Sequence, residues 1–224
     1  MDERDAPAAT TLGMSLDIER EFWAAGLRRI AGVDEVGRGA LAGPLVAAAV
    51  VLPARAGDRL CELCETLSGV RDSKLLTPRQ RADLMTVICR RAEAVAVGVV
   101  EADELDEIGT GAANRQAMQR AVLSLPAEPD LLLVDACVLD LGLPQVGLID
   151  GDATCLSIAA ASVVAKVVRD RFMIEADGAD PRFGFAQHKG YGTAAHRRAL
   201  ARRGPGPLHR RCFAPVACCR DDEP

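Results

Sequence analysis

One short segment places the strongest limits on how this chain folds and what it binds. Residues 32–44 read GVDEVGRGALAGP, and they follow an apolar run that begins at Leu27. The run predicts a strand that ends in two adjacent carboxylates, Asp34 and Glu35. Burying one unpaired carboxylate is costly and two neighbouring ones repel each other, so this pair requires either a solvated turn or bound cations.

The glycines of the segment favour bound cations. Gly37 and Gly39 leave backbone N–H groups open to a ligand, next to oxygens that suit a metal ion. Such a loop contacts a phosphate or a sugar through bare backbone, which indicates phosphodiester chemistry. A competing interpretation is the dinucleotide-binding fingerprint, whose glycines open a helix that holds a pyrophosphate. The apolar residues 45–52 that follow are typical of a strand, which argues against that interpretation.

The pattern of an apolar run that ends in an acid occurs again further along. Residues 131–135 end in Asp135, and residues 146–152 end in Asp152 just before a helix. Acids at the ends of central strands are expected to meet at one edge of a sheet. Asp152 is explained equally well as a helix N-cap.

The remaining periodicity predicts strands and helices in alternation. Besides 131–135 and 146–152, we expect strands over residues 29–35, 45–52 and 94–100. We expect helices over residues 16–24, 77–92, 110–126, 155–176 and 194–203, and a short acidic turn or helix over 103–108. Small residues at the start of the helix over 155–176 predict close packing against the sheet.

Composition excludes several classes of protein. The first residues are acidic without the apolar core of a signal peptide, and no apolar run is long enough to cross a bilayer. The eight cysteines lack the spacing of a disulfide framework, so we expect reduced thiols in a cytoplasmic protein. Cys61 and Cys64 have no second pair at zinc-finger spacing, which favours two thiols packed on one helix face over a metal site.

The charge distribution indicates a polyanionic partner. The net charge is −5, yet residues 181–220 contain no Asp or Glu and hold many arginines and all three histidines. A solvated basic helix explains part of this region equally well. Tyr191, the one tyrosine of the chain, lies among glycines and basic residues, as is typical of a stacking platform. Arg71, Ser73 and Lys74 suit a phosphate, although chance surface charges explain them as well.

These motifs, taken in order, resemble ribonuclease HII of the type 2 ribonuclease H family. The similar segments are residues 33–39, 72–75, 134–135, 151–152, 157–162, 165–167, 169–170, 188–193 and 209–210. The resemblance implies an α/β protein with an RNase H-like fold, in which helices flank a central mixed β-sheet and a small helical C-terminal extension follows. The corresponding division is a disordered leader (1–15), a catalytic domain (16–180), a basic helical part that completes the substrate groove (181–213) and a tail (214–224).

The resemblance also implies an activity. Enzymes of this family cleave the RNA strand of RNA–DNA hybrids and cut duplex DNA on the 5′ side of single embedded ribonucleotides, leaving 5′-phosphate and 3′-hydroxyl ends. By the family pattern, the catalytic and metal-binding acids would be Asp34, Glu35, Asp135 and Asp152. They would hold two Mg²⁺ or Mn²⁺ ions, for which oxygen-only ligands are suited. Because neighbours on a regular strand face opposite ways, we predict that the strand loses its regularity at Glu35.

The family pattern assigns substrate contacts too. The ribonucleotide would be contacted by Gly37, Arg38 and Gly39, largely through the backbone, and Tyr191 would stack near the sugar of the RNA–DNA junction. The phosphates and the duplex would be held by Ser73, Lys74, Lys166 and Lys189. We expect a monomer that does not bind membranes. The alternatives are an enzyme that needs several consecutive ribonucleotides, a catalytically silent hybrid-binding protein, and a nicotinamide-dependent enzyme.

Overall fold

A computed structural model describes residues 15–55 and 57–219, and its centre is one mixed sheet. The strands are β1 (Ile30–Val36), β2 (Leu45–Val51), β3 (Ala94–Val100), β4 (Leu131–Asp135) and β5 (Gln145–Leu148). They lie in the order β3-β2-β1-β4-β5. The β1–β2 and β2–β3 pairs are antiparallel, whereas β1–β4 and β4–β5 are parallel. The glycine-containing segment after β1 leads into β2 and not into a helix, so the dinucleotide-binding interpretation is wrong.

Helices cover both faces of the sheet, which confirms the predicted fold class. The helices are α1 (Asp17–Ala24), α2 (Asp58–Thr66), α3 (Pro78–Arg91), α4 (Ala102–Ile108), α5 (Thr110–Leu123), α6 (Gly151–Thr154), α7 (Leu156–Ala179), α8 (Phe185–His188), α9 (Ala194–Arg203) and α10 (Ala214–Ala217). A single 3-10 turn, Ser73–Leu75, precedes α3.

Burial on both faces explains why the strands are almost continuously apolar. Every residue of β2 is buried. On one face, Ile30 of β1 belongs to the same apolar cluster as Ile158 of α7. On the other face, Val33 of β1 belongs to the same cluster as Met118 of α5. The two helices therefore enclose the sheet, and the alternation along β1 assigns successive residues to opposite faces.

The start of α7 lies directly against β1. A Cβ on Gly32 would lie 2.2 Å from the carbonyl carbon of Ser157, so no larger side chain fits there. The buried carboxylate of Glu19 accepts a hydrogen bond from the Ser157 amide at 2.8 Å and fixes this end of the helix. The predicted close packing of the small residues of α7 is confirmed.

The two ends of the chain differ in part from expectation. Of the predicted leader, residues 1–14 lie outside the described residues, whereas Ser15 forms a bridge to the segment before α7. Of the predicted tail, residues 220–224 lie outside the described residues, whereas Ala214–Ala217 forms α10. Val216 is buried because it completes an apolar cluster with α9 and with the loop after β1. The helix α10 thus lies in the segment assigned to the tail, and the predicted division of the chain stays a prediction.

The cysteines are free thiols. Cys61 and Cys64 are both exposed, so the predicted packed pair is wrong. The reason is that α2 turns Leu63 towards the core, and the two cysteines fall outside that face. None of the described helices combines the length and the apolar character that a membrane crossing requires.

Candidate active site

Two parallel neighbours, β1 and β4, bring acids to one edge of the sheet. Their pairing ends at Val33 and Val134, and Asp34 and Asp135 are the next residues on the two strands. Asp34, Glu35 and Asp135 each offer a carboxylate oxygen, and these oxygens lie within 4.8 Å of one another. The ends of adjacent parallel strands are a common place for a ligand in α/β proteins.

β1 does not lose its regularity at Glu35, so that prediction is wrong. Its ladder with β2 continues to Val36. The ladder with β4 ends earlier, at Val33, and leaves this side of β1 open. The edge of β1 that faces β4 is therefore unpaired at Glu35, and its carboxylate lies near the other two although the strand stays extended.

Burial and repulsion by neighbouring acids make the three acids hard to ionise. Asp34 is only 5% exposed, and burial together with the charge of Glu35 raises its pKa well above the usual range. Burial and the charge of Asp135 likewise raise the pKa of Glu35. Burial raises the pKa of Asp135 as well, against a hydrogen bond of 2.9 Å from the Gly151 amide that lowers it. Oxygen donors whose charges repel fit a hard divalent cation, which would neutralise them.

Asp152 lies outside this cluster of three acids. Its carboxylate accepts a hydrogen bond of 3.0 Å from the Lys74 ammonium. It lies within α6, and the residue that precedes α7 is Cys155, so the N-cap interpretation is wrong. The residue before Asp152, Gly151, donates its amide to Asp135, so Asp152 directly follows a residue that contacts one of the three acids. Its role as a fourth metal ligand stays a prediction.

The turn before α3 is connected to the acids by two contacts. Lys74 binds Asp152, as described above. Ser73 is buried, and its hydroxyl oxygen lies 2.9 Å from that of Ser162 on α7. A hydrogen bond from Ser162 in turn lowers the pKa of Asp34. Ser73 and Lys74 thus have polar partners within the chain, and their predicted phosphate contacts stay predictions.

The loop of residues 37–39, here called the glycine loop, packs closely against the protein at Gly37 and is exposed to solvent at Gly39. Gly37 has a φ of +93°, and a Cβ there would lie 2.2 Å from Nε of Arg169. Gly39 is exposed, and nothing in the described chain lies within 4 Å of a Cβ placed on it. Arg38 is exposed as well. Bare backbone therefore faces solvent a few residues after Asp34.

Tyr191 lies next to the glycine loop. It forms a bridge with Ala40, and its ring centre lies 5.2 Å from the Arg169 guanidinium. The Lys166 ammonium lies 5.5 Å from the same ring and 2.7 Å from the Asp170 carboxylate. These distances suit cation–π contacts, which hold the ring in place. The predicted stacking of Tyr191 on substrate stays a prediction, as does the predicted contact of Lys166 with the duplex.

Lys189 closes the turn after α8. Its φ of +52° is left-handed, and its ammonium donates to the carbonyl of Ala186. Its backbone carbonyl accepts a hydrogen bond of 2.9 Å from Arg169. In this structure Lys189 shapes the backbone that leads to Tyr191, and its predicted contact with the duplex stays a prediction.

Two fully buried arginines are the main residues that sequence reasoning missed. Arg169 and Arg210 both have a relative exposure of 0%. Arg169 lies in the charged second half of its helix, and both arginines were visible only as parts of similar segments. Neither position indicated which backbone carbonyls the side chain would reach, because those carbonyls come from distant parts of the chain.

The comparisons with known proteins agree with this geometry. The family model of Ribonuclease HII matches residues 31–216, which is most of the chain. The chain belongs to the ribonuclease HII family. Ribonuclease HII of Geobacillus kaustophilus (strain HTA426) is 54% identical over 198 residues, 88% of this chain and 73% of that protein. Ribonuclease HII of Roseiflexus castenholzii is 53% identical over 203 residues, 90% of this chain and 89% of that protein.

Solved structures of the family share the fold. The ribonuclease H2 from Pyrococcus horikoshii OT3 has a TM-score of 0.73 and 27% identity, over 85% of this chain and 96% of that chain. A chain in the PCNA:RNase HII complex from Archaeoglobus fulgidus has a TM-score of 0.66 and 27% identity, over 86% of this chain and 97% of that chain. Membership of the ribonuclease HII family makes the chain a metal-dependent endoribonuclease that acts on nucleic acid. The silent-binder and nicotinamide alternatives are therefore wrong.

Proposed function

We propose that the chain cleaves the RNA strand of RNA–DNA hybrids and cuts duplex DNA on the 5′ side of single ribonucleotides, leaving 5′-phosphate and 3′-hydroxyl ends. The observation that carries this proposal is the cluster of Asp34, Glu35 and Asp135, whose oxygens lie within 4.8 Å of one another close to an exposed glycine loop. The first feature suits phosphodiester hydrolysis, and the second suits contact with a ribose.

The acids would hold two divalent ions, Mg²⁺ or Mn²⁺, with Asp152 as the fourth ligand. Bound there, such ions supply an activated water and stabilise charge on the leaving oxygen. Asp34 and Asp135 can act together because parallel pairing of their strands places them side by side. Asp152 would join them by leaving Lys74, which would then be free to contact a substrate phosphate.

The glycine loop supports selection of a ribonucleotide. The backbone at Arg38 and Gly39 is exposed, so its N–H groups can reach a 2′-hydroxyl. A site built to hydrogen-bond a hydroxyl rejects the substrate that lacks it, because its own polar groups are then left unpaired. Tyr191, held against Ala40, would stack on the sugar at the RNA–DNA junction. Lys166, Lys189 and Ser73 would contact the backbone of the duplex.

Cleavage of two labelled substrates tests the proposal. One is a DNA duplex with a single ribonucleotide, and the other is an RNA–DNA hybrid, each with Mg²⁺, Mn²⁺ or EDTA. We expect a metal-dependent cut on the 5′ side of the single ribonucleotide and cleavage of the hybrid. Cleavage of the hybrid alone would support the related enzyme that needs several consecutive ribonucleotides.

Substitution of an acid tests the site itself. Asp34→Asn should abolish cleavage of both substrates, since it replaces a buried carboxylate by a neutral amide with little change of volume. Asp83→Asn, on the exposed face of α3, is the matched control and should cleave like the unaltered protein. Undiminished cleavage by Asp34→Asn would refute the assigned site. The predicted monomeric state stays a prediction.

A further inference from the structure

Arg210 holds the glycine loop from inside the protein. Its Nη1 donates to the carbonyl of Gly37 at 2.7 Å and to that of Arg38 at 3.2 Å. Its Nε donates to the carbonyl of Gly43 at 2.9 Å. One guanidinium thus spans both ends of the turn that follows β1. Burial and repulsion from Arg169 lower the pKa of Arg210 to about 10, so the side chain stays protonated at neutral pH.

The direction of these carbonyls fixes the direction of the neighbouring amides. In a trans peptide the C=O and the following N–H point opposite ways. The Gly37 and Arg38 carbonyls point inward to Arg210, so the N–H groups of Arg38 and Gly39 point away from it. Among the described residues, neither N–H has an acceptor. Two outward donors therefore lie on an exposed turn.

The two carbonyls depend on Arg210 to different extents. The Gly37 carbonyl also accepts from the Ala40 amide at 3.2 Å, which closes the turn locally. The Arg38 carbonyl has no donor other than Arg210 within the described part of the chain. The peptide between Arg38 and Gly39 is therefore the one whose orientation depends most on Arg210.

Arg169 fixes the other side of the same turn. Its Nε and Nη2 donate to the carbonyls of Pro44 and Ala42 at 2.9 and 3.0 Å. Its side chain also fills the space above Gly37, where a Cβ would lie 2.2 Å away. Both arginines bind backbone carbonyls instead of carboxylates. A guanidinium offers five donors in a rigid fork, which a lysine ammonium cannot reproduce.

We propose that Arg210 is a positioning residue for ribonucleotide selectivity, because it keeps the N–H groups of Arg38 and Gly39 turned outward towards the 2′-hydroxyl of the substrate. This inference rests on the proposed function. Arg210 itself is buried and touches no substrate. It acts through the peptide groups that it holds.

Steady-state cleavage in Mg²⁺ provides the test. The KM for a DNA duplex with one ribonucleotide is compared with the Ki of the same duplex made only of DNA, used as an unlabelled competitor. The ratio of Ki to KM measures recognition of the 2′-hydroxyl. Arg210→Lys keeps the positive charge but lacks the planar set of guanidinium donors. We expect KM to rise about tenfold, as for one lost hydrogen bond, so that the ratio of Ki to KM falls by the same factor. The Ki for DNA should change less than about twofold.

A matched control separates positioning from general destabilisation. Arg120→Lys removes another guanidinium, which bonds the Val99 carbonyl and Glu104 away from the site, and should leave the ratio unchanged. If Arg210→Lys raises KM and Ki by the same factor, or lowers only kcat, Arg210 is structural and the inference is wrong. If the unaltered protein does not cut at the single ribonucleotide, the proposed function fails instead.

Hydrogen exchange of the unaltered protein keeps the test independent of whether Arg210→Lys folds. The amides of Arg38 and Gly39 should exchange rapidly in the free protein and slow at least tenfold when the ribonucleotide duplex binds in EDTA, but not with the DNA duplex. Slow exchange of both amides in the free protein would overturn the inference, because they would then already have acceptors.

Discussion

Gly37 and Gly39 are two residues apart, yet the space around them differs. Gly37 combines a φ of +93° with the side chain of Arg169 only 2.2 Å from the position of a Cβ. Gly39 has neither restriction, since the described chain leaves the space around its Cβ position open. The first glycine is required by the fold of the protein itself. On our proposal, the second is required by the ribose that binds there.

A pair of alanine variants separates these two requirements. Gly37→Ala should lower the free energy of unfolding by about 1–3 kcal/mol, since it forces a left-handed residue against a buried arginine. Gly39→Ala should unfold like the unaltered protein, yet cut the single-ribonucleotide duplex at least tenfold more slowly, because its methyl group enters the space for the ribose. Urea unfolding and initial rates measure the two effects. Equal loss of stability in both variants would contradict this distinction.

At the scale of elements, three histidines connect α8, α9 and the segment that follows α9. His196 of α9 lies 3.1 Å through Nδ1 from the carbonyl of Tyr191, to which it must donate. Its Nε2 then accepts from Nε2 of His209 at 3.1 Å. His209 Nδ1 accepts from the Gly206 amide at 3.0 Å. The ring of His188 stacks on His196 with centroids 4.3 Å apart. In this arrangement His196 and His209 are both neutral.

This cluster predicts sensitivity to acid. Burial, with His196 nearby, lowers the pKa of His209 from 6.5 to about 4. The unfolded chain therefore binds more protons between these values, so stability is complete above pH 6.5 and falls as the pH drops towards 4. The loss from His209 should reach about 3 kcal/mol. Urea unfolding from pH 7 to pH 4 should show a shallower decline for His209→Gln. Equal slopes for both proteins would contradict the assignment.

Helices and strands were predicted more accurately from the sequence than the contacts between them. The strand over 94–100 and the helix over 194–203 follow from local patterns, and both have the expected bounds. The regular course of β1 through Glu35 was not predictable, because it depends on where the neighbouring strand stops pairing. The exposure of Cys61 was missed for a similar reason, since only the packing of α2 decides which face is buried.

Some features of the candidate site were likewise predictable from the sequence, and others were not. The meeting of Asp34 and Asp135 at one edge of the sheet was predictable, because each follows an apolar run typical of a central strand. That their two strands are direct neighbours is known only from the structure. The bond between Lys74 and Asp152 joins residues 78 positions apart and left no pattern in the sequence. The carbonyl contacts of Arg210 are equally invisible there, because backbone acceptors occur at every residue. A contact between distant residues is thus predictable where a repeated pattern marks both partners, and not where one partner is an ordinary lysine or a backbone carbonyl.

At the scale of the whole molecule, the acidic cluster opposes folding until a cation binds. The pKa values of Asp34, Glu35 and Asp135 are all raised, and burial is the first cause for each. The charge of a neighbouring acid adds to it: that of Glu35 for Asp34, that of Asp135 for Glu35, and that of Asp152 for Asp135. A carboxyl group whose pKa is higher in the folded state stabilises the fold only at low pH, and this contribution is lost as the pH rises. At neutral pH the metal-free protein is therefore less stable than it would be without the cluster.

Thermal unfolding at pH 7.5 measures this effect. Millimolar Mg²⁺ or Mn²⁺ should raise the Tm above its value in EDTA, by about 2–4 °C for each kcal/mol of binding energy gained. Asp34→Asn should have a higher Tm than the unaltered protein in EDTA, since it removes a buried charge, and it should respond less to the metal. A lower Tm for Asp34→Asn in EDTA would show that the repulsion between the acids is unimportant.

The contact between Arg210 and Gly37 joins residues 173 positions apart, and this separation has a consequence for synthesis. The ribosome releases all four predicted catalytic acids before it releases Arg210. A nascent chain thus acquires the predicted catalytic residues before it acquires Arg210, which holds the glycine loop. On our proposal, discrimination between RNA and DNA is therefore acquired later than the catalytic acids. It requires the segment around Arg210 to pack against the glycine loop.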